Sequence, residues 1–197
     1  MMAAYSDADV VELIARQKCY DVLTRYCRAL DRADAELMRS VYWEDGIDEH
    51  GVFKGNAIEF SDYIIAEIQN WFAVTMHSIS NVHMEFYGDI MCTESYLTAY
   101  HKVIGDKEKI EAVQGSKYYA RLNLAELEGT HHVFFYGGRY IDRLEKRDGQ
   151  WRIALRRVVM DWNEHWPGCT IVDDGMGKTL TLRGCRGHDD PVFQNNP

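Results

Sequence analysis

The sequence predicts an α+β fold in which helices come first and a strongly curved antiparallel sheet follows. Apolar residues recur at helical spacing through the first third of the chain. From Thr75 onward the texture turns β-branched, aromatic and alternating. Gly88-Asp89 and Asp148-Gly149 then supply the turns that make neighbouring strands antiparallel hairpins.

In order along the chain, Ser6 with Asp9 reads as a capping box, and Val10, Leu13, Ile14, Val22, Leu23, Tyr26 and Leu30 mark the buried stripe of one long helix to about Asp31. A short helix spans 34–40, and Glu44-Asp45-Gly46 breaks the pattern after it. Asn56 with Glu59 caps a third helix, whose Phe60, Ile64, Ile68, Trp71 and Phe72 share one face. Four long strands are expected over 75–87, 92–104, 132–147 and 150–162. The stretch 105–129 reads as a long connection with a helical piece at 122–127. The Gly- and Asp-rich residues 167–197 read as an extension of a 1–166 domain, packing over its pocket or on a neighbouring subunit.

With 197 residues, 46% of them hydrophobic and only three prolines, the chain has the apolar surface to fold around one core. Its net charge of −9 argues against nucleic acid and against anionic membrane surfaces as partners. The pairs Arg156-Arg157 and Lys146-Arg147 fall inside strands and form no basic patch. The N-terminus lacks the basic start and apolar run of a secretory signal, and five cysteines without CxxC spacing suit reduced thiols. A cytoplasmic protein is the resulting expectation.

Cofactor motifs are missing. Gly177-Lys178-Thr179 ends like a phosphate-binding loop, but Val172 stands where its first glycine is required. There is no GxGxxG after a strand and no GxSxG, and His131-His132 lacks the spacing of a zinc site. No cofactor and no metal is the expectation. What remains is a titratable set at element ends and on strands: Tyr26, Asp31, Asp48, His50, His77, His83, His101, Arg139 and Arg156. Taken singly each is more often structural than catalytic, so the case rests on their arrangement.

That arrangement resembles a known family. Tyr26-Cys-Arg-Ala-Leu-Asp31, Val41 to Asp45, Gly51 to Gly55, Met76-His77-Ser-Ile-Ser-Asn81, Phe86 to Asp89, Gly138 to Asp142, Arg147 to Trp151 and Arg156 follow one another as in the SnoaL-like family, over roughly 7–165. The resemblance implies the nuclear transport factor 2-like fold, a cone of curved antiparallel sheet whose N-terminal helices enclose a hydrophobic pocket. Members that this chain resembles include scytalone dehydratase, hexachlorocyclohexane dehydrochlorinase and bile acid 7α-dehydratase, cofactor-free eliminases that use an Asp–His pair.

By that resemblance Asp31 and His77 are the dyad, with Tyr26, Arg156 and His101 as further catalytic residues. Tyr26 would protonate a departing hydroxyl and Arg156 would hold a developing oxyanion. Tyr42, Trp43, Phe53, Asn81, Tyr100 and Tyr136 are the substrate-binding candidates. The implied activity is a lyase removing water or another small group, formaldehyde through a quinone methide being one variant, from a hydroxylated aromatic or polycyclic small molecule. Catabolism of aromatic compounds and a homotrimer go with it. Two other readings stay open: the non-catalytic β subunit of a ring-hydroxylating dioxygenase, and a ketosteroid-type isomerase or cyclase.

Overall fold

The computed structural model describes residues 5–123 and 130–195. Helix α1, Asp7–Arg32, begins where the capping box places it: the Ser6 hydroxyl accepts from Asp9 N–H, and the Asp9 carboxylate accepts from Ser6 N–H at 2.8 Å. Ala33 ends it in the left-handed region at φ 53°. Asp34 then caps α2, Ala35–Ser40, by accepting from Leu37 N–H.

Strand β1, Tyr42–His50, runs straight through Glu44-Asp45-Gly46, where the sequence suggested a break. The register against its neighbour slips between Tyr42 and Ile47, so the three residues are absorbed as an irregularity. Gly46 is required there, because a Cβ would lie 2.8 Å from the Trp43 carbonyl oxygen. After β2, Phe53–Asn56, Asn56 caps α3, Ala57–Trp71, by accepting from Ile58 and Glu59 N–H. Phe72, expected on the face of α3, instead opens β3, Phe72–Tyr87.

Strands β4, Ile90–Val103, β5, His132–Arg147, and β6, Gln150–Pro167, complete a six-stranded sheet in the order β2-β1-β6-β5-β4-β3. Neighbours are antiparallel except β1 and β6, which run parallel because the chain crosses from one edge to the other between them. The sheet is curved and unclosed, with the N-terminal helices on its inner face. Alternation on β4 shows the geometry: Met91, Leu97, Ala99, His101 and Val103 are buried inward while Tyr96 and Thr98 are exposed. Tyr26, Leu30, Phe60, Tyr140 and Ile153 fill the core between sheet and helices.

Between β4 and β5 lie α4, Lys107–Gln114, and α5, Ser116–Tyr119. Of the helical piece expected at 122–127, positions 124–127 lie outside the described residues. β6 is longer than expected, and a slip opposite Gly137 and Gly138 reverses which of its residues face inward, so that His165 stacks on Phe134 at 5.2 Å. Beyond it, short 3-10 turns fold the extension back on its own chain. The Arg32 guanidinium donates to the Cys185 carbonyl at 2.8 Å and to Asp190 at 2.6 Å, and Arg186 donates to the Ile68 carbonyl at 2.8 Å. All five cysteines are free thiols. Among the described residues no helix is long and apolar enough to cross a membrane.

Candidate active site

Asp31 lies in the last turn of α1, directed at β3, and it grips His77 twice. Its Oδ1 lies 2.7 Å from His77 Nδ1, and its Oδ2 accepts the His77 backbone N–H at 2.9 Å. A carboxylate against Nδ1 places the ring proton there and leaves Nε2 with a lone pair. His77 is inward-facing with its side chain 7% exposed. His101, on the neighbouring strand β4, meets the His77 ring edge-on at 5.2 Å.

These two histidines and His50 line a cavity of about 300 Å³ whose other walls include Phe134, Tyr136 and Met160. The space is at the small end for ligand sites and is walled mostly by apolar atoms, with the histidines as its convergent polar groups. His101 Nδ1 donates to the Phe134 carbonyl at 3.2 Å. Burial first, and then the neighbouring His77, push the His101 pKa down to about 3, so it is neutral and presents an Nε2 acceptor.

Arg156 is placed differently from the resemblance's expectation. It is fully buried and makes a bidentate pair with Asp142, both bonds 2.7 Å. Its guanidinium is sandwiched between the rings of Tyr26 at 3.8 Å and Tyr140 at 4.1 Å. Its Nη1 is enclosed without a hydrogen-bond partner, and Arg156 is not among the residues that line the cavity. Tyr26 likewise lies under Arg156 with its hydroxyl enclosed and unpartnered, outside the cavity wall, and burial raises its pKa far above the usual tyrosine value. In this structure Tyr26 packs under Arg156 rather than on the cavity lining.

Of the six substrate-binding candidates only Tyr136 reaches the cavity, its hydroxyl donating to the Val159 carbonyl at 3.0 Å. Tyr42 is buried beneath, donating to Asp48 at 2.6 Å. Phe53 packs on Phe60 and Tyr63. Trp43 points to the outer side, donating to the Glu145 carbonyl and lying beside Arg147 and Arg152. Tyr100 alternates away from His101, and Asn81 is exposed at the β3 irregularity with φ 46°. Arg139 is tied to Glu94 and Asp161 at the surface, and His83 is exposed.

Sequence reading passed over one cluster as a site. Asp48 of β1 pairs in register with Arg156 of β6, which pairs with Asp142 of β5, so the three side chains form one buried row. Asp48 is fully buried, and desolvation pushes its pKa up to about 7 despite the hydrogen bond from Tyr42 and the charge of Arg156. His50, two residues along the same strand, shares that face, stacks on Phe60 at 5.2 Å and has its pKa lowered to about 3 by burial, Arg156 and His77. The i, i+2 spacing was the available signal, hidden because the segment did not read as a strand. Among the described residues no group of three or more His, Cys, Asp or Glu is placed to hold a metal ion.

The SnoaL-like domain model matches residues 11–157, and the chain belongs to that family. Its architecture is the nuclear transport factor 2-like fold. Similar solved structures include a hexachlorocyclohexane dehydrochlorinase of Novosphingobium barchaimii, 16% identical with TM-score 0.64, covering 83% of this chain and 98% of the other. A scytalone dehydratase candidate from Novosphingobium aromaticivorans is 17% identical with TM-score 0.60, covering 79% and 89%. A Mycobacterium tuberculosis protein of unknown function is 24% identical with TM-score 0.57, covering 81% and 78%. At these identities the likeness speaks for the fold. No protein of curated function matches the chain by sequence.

Proposed function

We propose that this chain is a cofactor-independent lyase in which His77 removes a proton from carbon and Asp31 holds and stabilises the resulting imidazolium. The observation that carries the reading is the double hold of Asp31 on His77 at the wall of a largely apolar cavity. A neutral imidazole with a pKa near 6.5 in its free form is suited to take a proton near pH 7. The carboxylate on Nδ1 fixes the tautomer and offsets the positive charge that forms. His101, neutral and offering an acceptor, would take a hydrogen bond from a substrate hydroxyl.

The leaving group is water or another small group, and formaldehyde loss through a quinone methide is one form of the same chemistry. The substrate must carry its own electron sink, a carbonyl beside the reacting carbon or a para-phenol. Ring contacts from Phe134 and Tyr136, in about 300 Å³, favour a compact aromatic over a larger polycyclic. Dehydratase and dehydrochlorinase chemistry among the similar structures fits this class of reaction. We further propose a cytoplasmic homotrimer, in which exposed apolar residues of the outer sheet face such as Met76 and Trp162 would be covered; a monomeric mass by light scattering would remove that part.

The test is an ultraviolet and mass screen of wild type and His77→Ala against β-hydroxy-carbonyl compounds and phenolic benzylic alcohols. New conjugated absorbance from wild type alone is the expected result. A product of unchanged mass would make the protein an isomerase. Silence, with copurification of a larger iron protein, would make it a structural β subunit.

A further inference from the structure

Behind the cavity wall His50 faces a second carboxylate, Asp48, that the dyad does not use. His50 Nδ1 faces Asp48 Oδ1 at 3.8 Å, and both atoms are enclosed with no hydrogen-bond partner. Two unpartnered polar atoms facing each other in the interior are costly unless they can engage. The distance exceeds a hydrogen bond, so engagement of the pair requires the His50 ring to turn toward Asp48. The Asp48 carboxyl is otherwise fixed, since Tyr42 donates to Oδ2 at 2.6 Å. His50 itself lines the cavity together with His77.

We propose that Asp48 and His50 form a proton-donating pair, in which His50 protonates the departing group and Asp48 resupplies it, on the opposite duty to Asp31 and His77. His50 is the catalytic residue and Asp48 a positioning and relay residue. The catalytic half rests on the lyase reading. The tautomers follow from the contacts: with Tyr42 on Oδ2, an Asp48 proton sits on Oδ1 facing the lone pair of His50 Nδ1, which leaves the His50 proton on Nε2, toward the cavity.

The step balances. His77 takes the proton from carbon, the C–H electron pair becomes the new double bond, and the C–O bond breaks with its pair on oxygen. The His50 Nε2–H proton passes to that oxygen, giving water, while the Asp48 Oδ1–H proton passes to His50 Nδ1. His50 ends neutral as the other tautomer, and Asp48 ends as a carboxylate in the field of Arg156. Transfer of the His77 Nε2 proton through water to His50 Nε2, with return of the His50 Nδ1 proton to Asp48 Oδ1, resets both pairs.

The charges around Asp48 suit the task. Arg156 from β6 and the Tyr42 hydroxyl from β1 favour the carboxylate, whereas burial, Asp142 from β5 and the adjacent Glu49 favour the acid. Balance between them leaves Asp48 titrating at about 7, where a proton can be given and recovered. His50 is kept neutral by burial, Arg156 and His77, so it conducts a proton without holding a charge. Tyr26 from α1 and Tyr140 from β5 enclose Arg156, and of the two Tyr140 lines the cavity while Tyr26 does not.

Two measurements decide it. In infrared difference spectra, wild type should show a protonated-carboxyl stretch that Asp48→Asn lacks, that fades as pH rises through about 7, and that shifts in frequency in His50→Phe. A carboxyl ionised throughout, or one indifferent to His50→Phe, overturns the pair, and the His50→Phe comparison stands even if Asp48→Asn does not fold. In turnover, matched hydroxyl and chloride substrates separate the roles, because chloride leaves without a proton. His50→Phe should lose roughly 10²–10⁴-fold on the hydroxyl compound and less than about tenfold on the chloride, while His77→Ala loses both. Equal loss on both substrates overturns the donor role. Silence of wild type on both removes the lyase reading and the catalytic half with it, leaving the infrared result to decide the pair alone.

Discussion

Asp31 holds His77 by ring and by backbone at once, at 2.7 Å and 2.9 Å. The second bond ties β3 to the end of α1, so the carboxylate and the strand that carries the imidazole are held in one frame. Replacing Asp31 by Asn keeps the volume but cannot accept equally from both donors and loses the charge that stabilises an imidazolium. Turnover should fall by roughly 10²–10⁴-fold with the circular dichroism unchanged. Undiminished turnover in Asp31→Asn would remove the dyad.

Stability should depend on pH through three buried groups, Asp48, His50 and His101. Asp48 keeps its proton to about 7 in the folded chain but to only about 3.9 when unfolded, so its contribution is full below the lower value and lost as pH rises through the upper. His50 and His101, held to about 3 against about 6.5 unfolded, contribute above the upper value and lose it as pH falls toward the lower. Between about pH 4 and 6.5 the two histidines outweigh the one aspartate, and His131 and His165, also lowered by burial, act in the same direction, so stability should climb with pH. Asp48→Asn should steepen that slope. Denaturant midpoints measured across this range check it, and a slope unchanged by Asp48→Asn would count against the buried proton.

The Asp142–Arg156 pair is fully enclosed, with side chains 0% exposed on both sides. Asp142→Ala strands a guanidinium between Tyr26 and Tyr140 and should cost about 3–5 kcal/mol by chemical denaturation. Replacing both partners with apolar residues of similar volume should recover most of the loss. A cost for Asp142→Ala below about 1 kcal/mol would mean the guanidinium finds water.

Asp190 gathers the extension. It accepts from Arg32, from Cys185 N–H at 2.8 Å and from Val192 N–H at 3.0 Å. In Asp190→Ala trypsin should cleave after Arg183 and Arg186 several-fold faster while the rest of the chain stays intact. Equal cleavage rates would show that the extension is held by other contacts.

Much of this protein was determined locally. The capping box at Ser6, the Asn56 cap, the hairpin turns at Gly88 and Asp148, and the alternation of β4 each depend on residues within one element, and the sequence alone places them. The order of motifs likewise singled out Asp31 and His77, though they are 46 positions apart. Tertiary structure decided what periodicity cannot encode. β1 passes through Glu44-Asp45-Gly46 because β6, more than a hundred residues later, supplies its partner and absorbs the slip. Which side chain faces the cavity turns on strand phase and on irregularities, which send Trp43, Asn81 and Tyr100 away and bring His50 in. Arg156 was recognisable as a buried cation only once Asp142 stood opposite it, since a charge enters an interior where the fold brings its counter-charge.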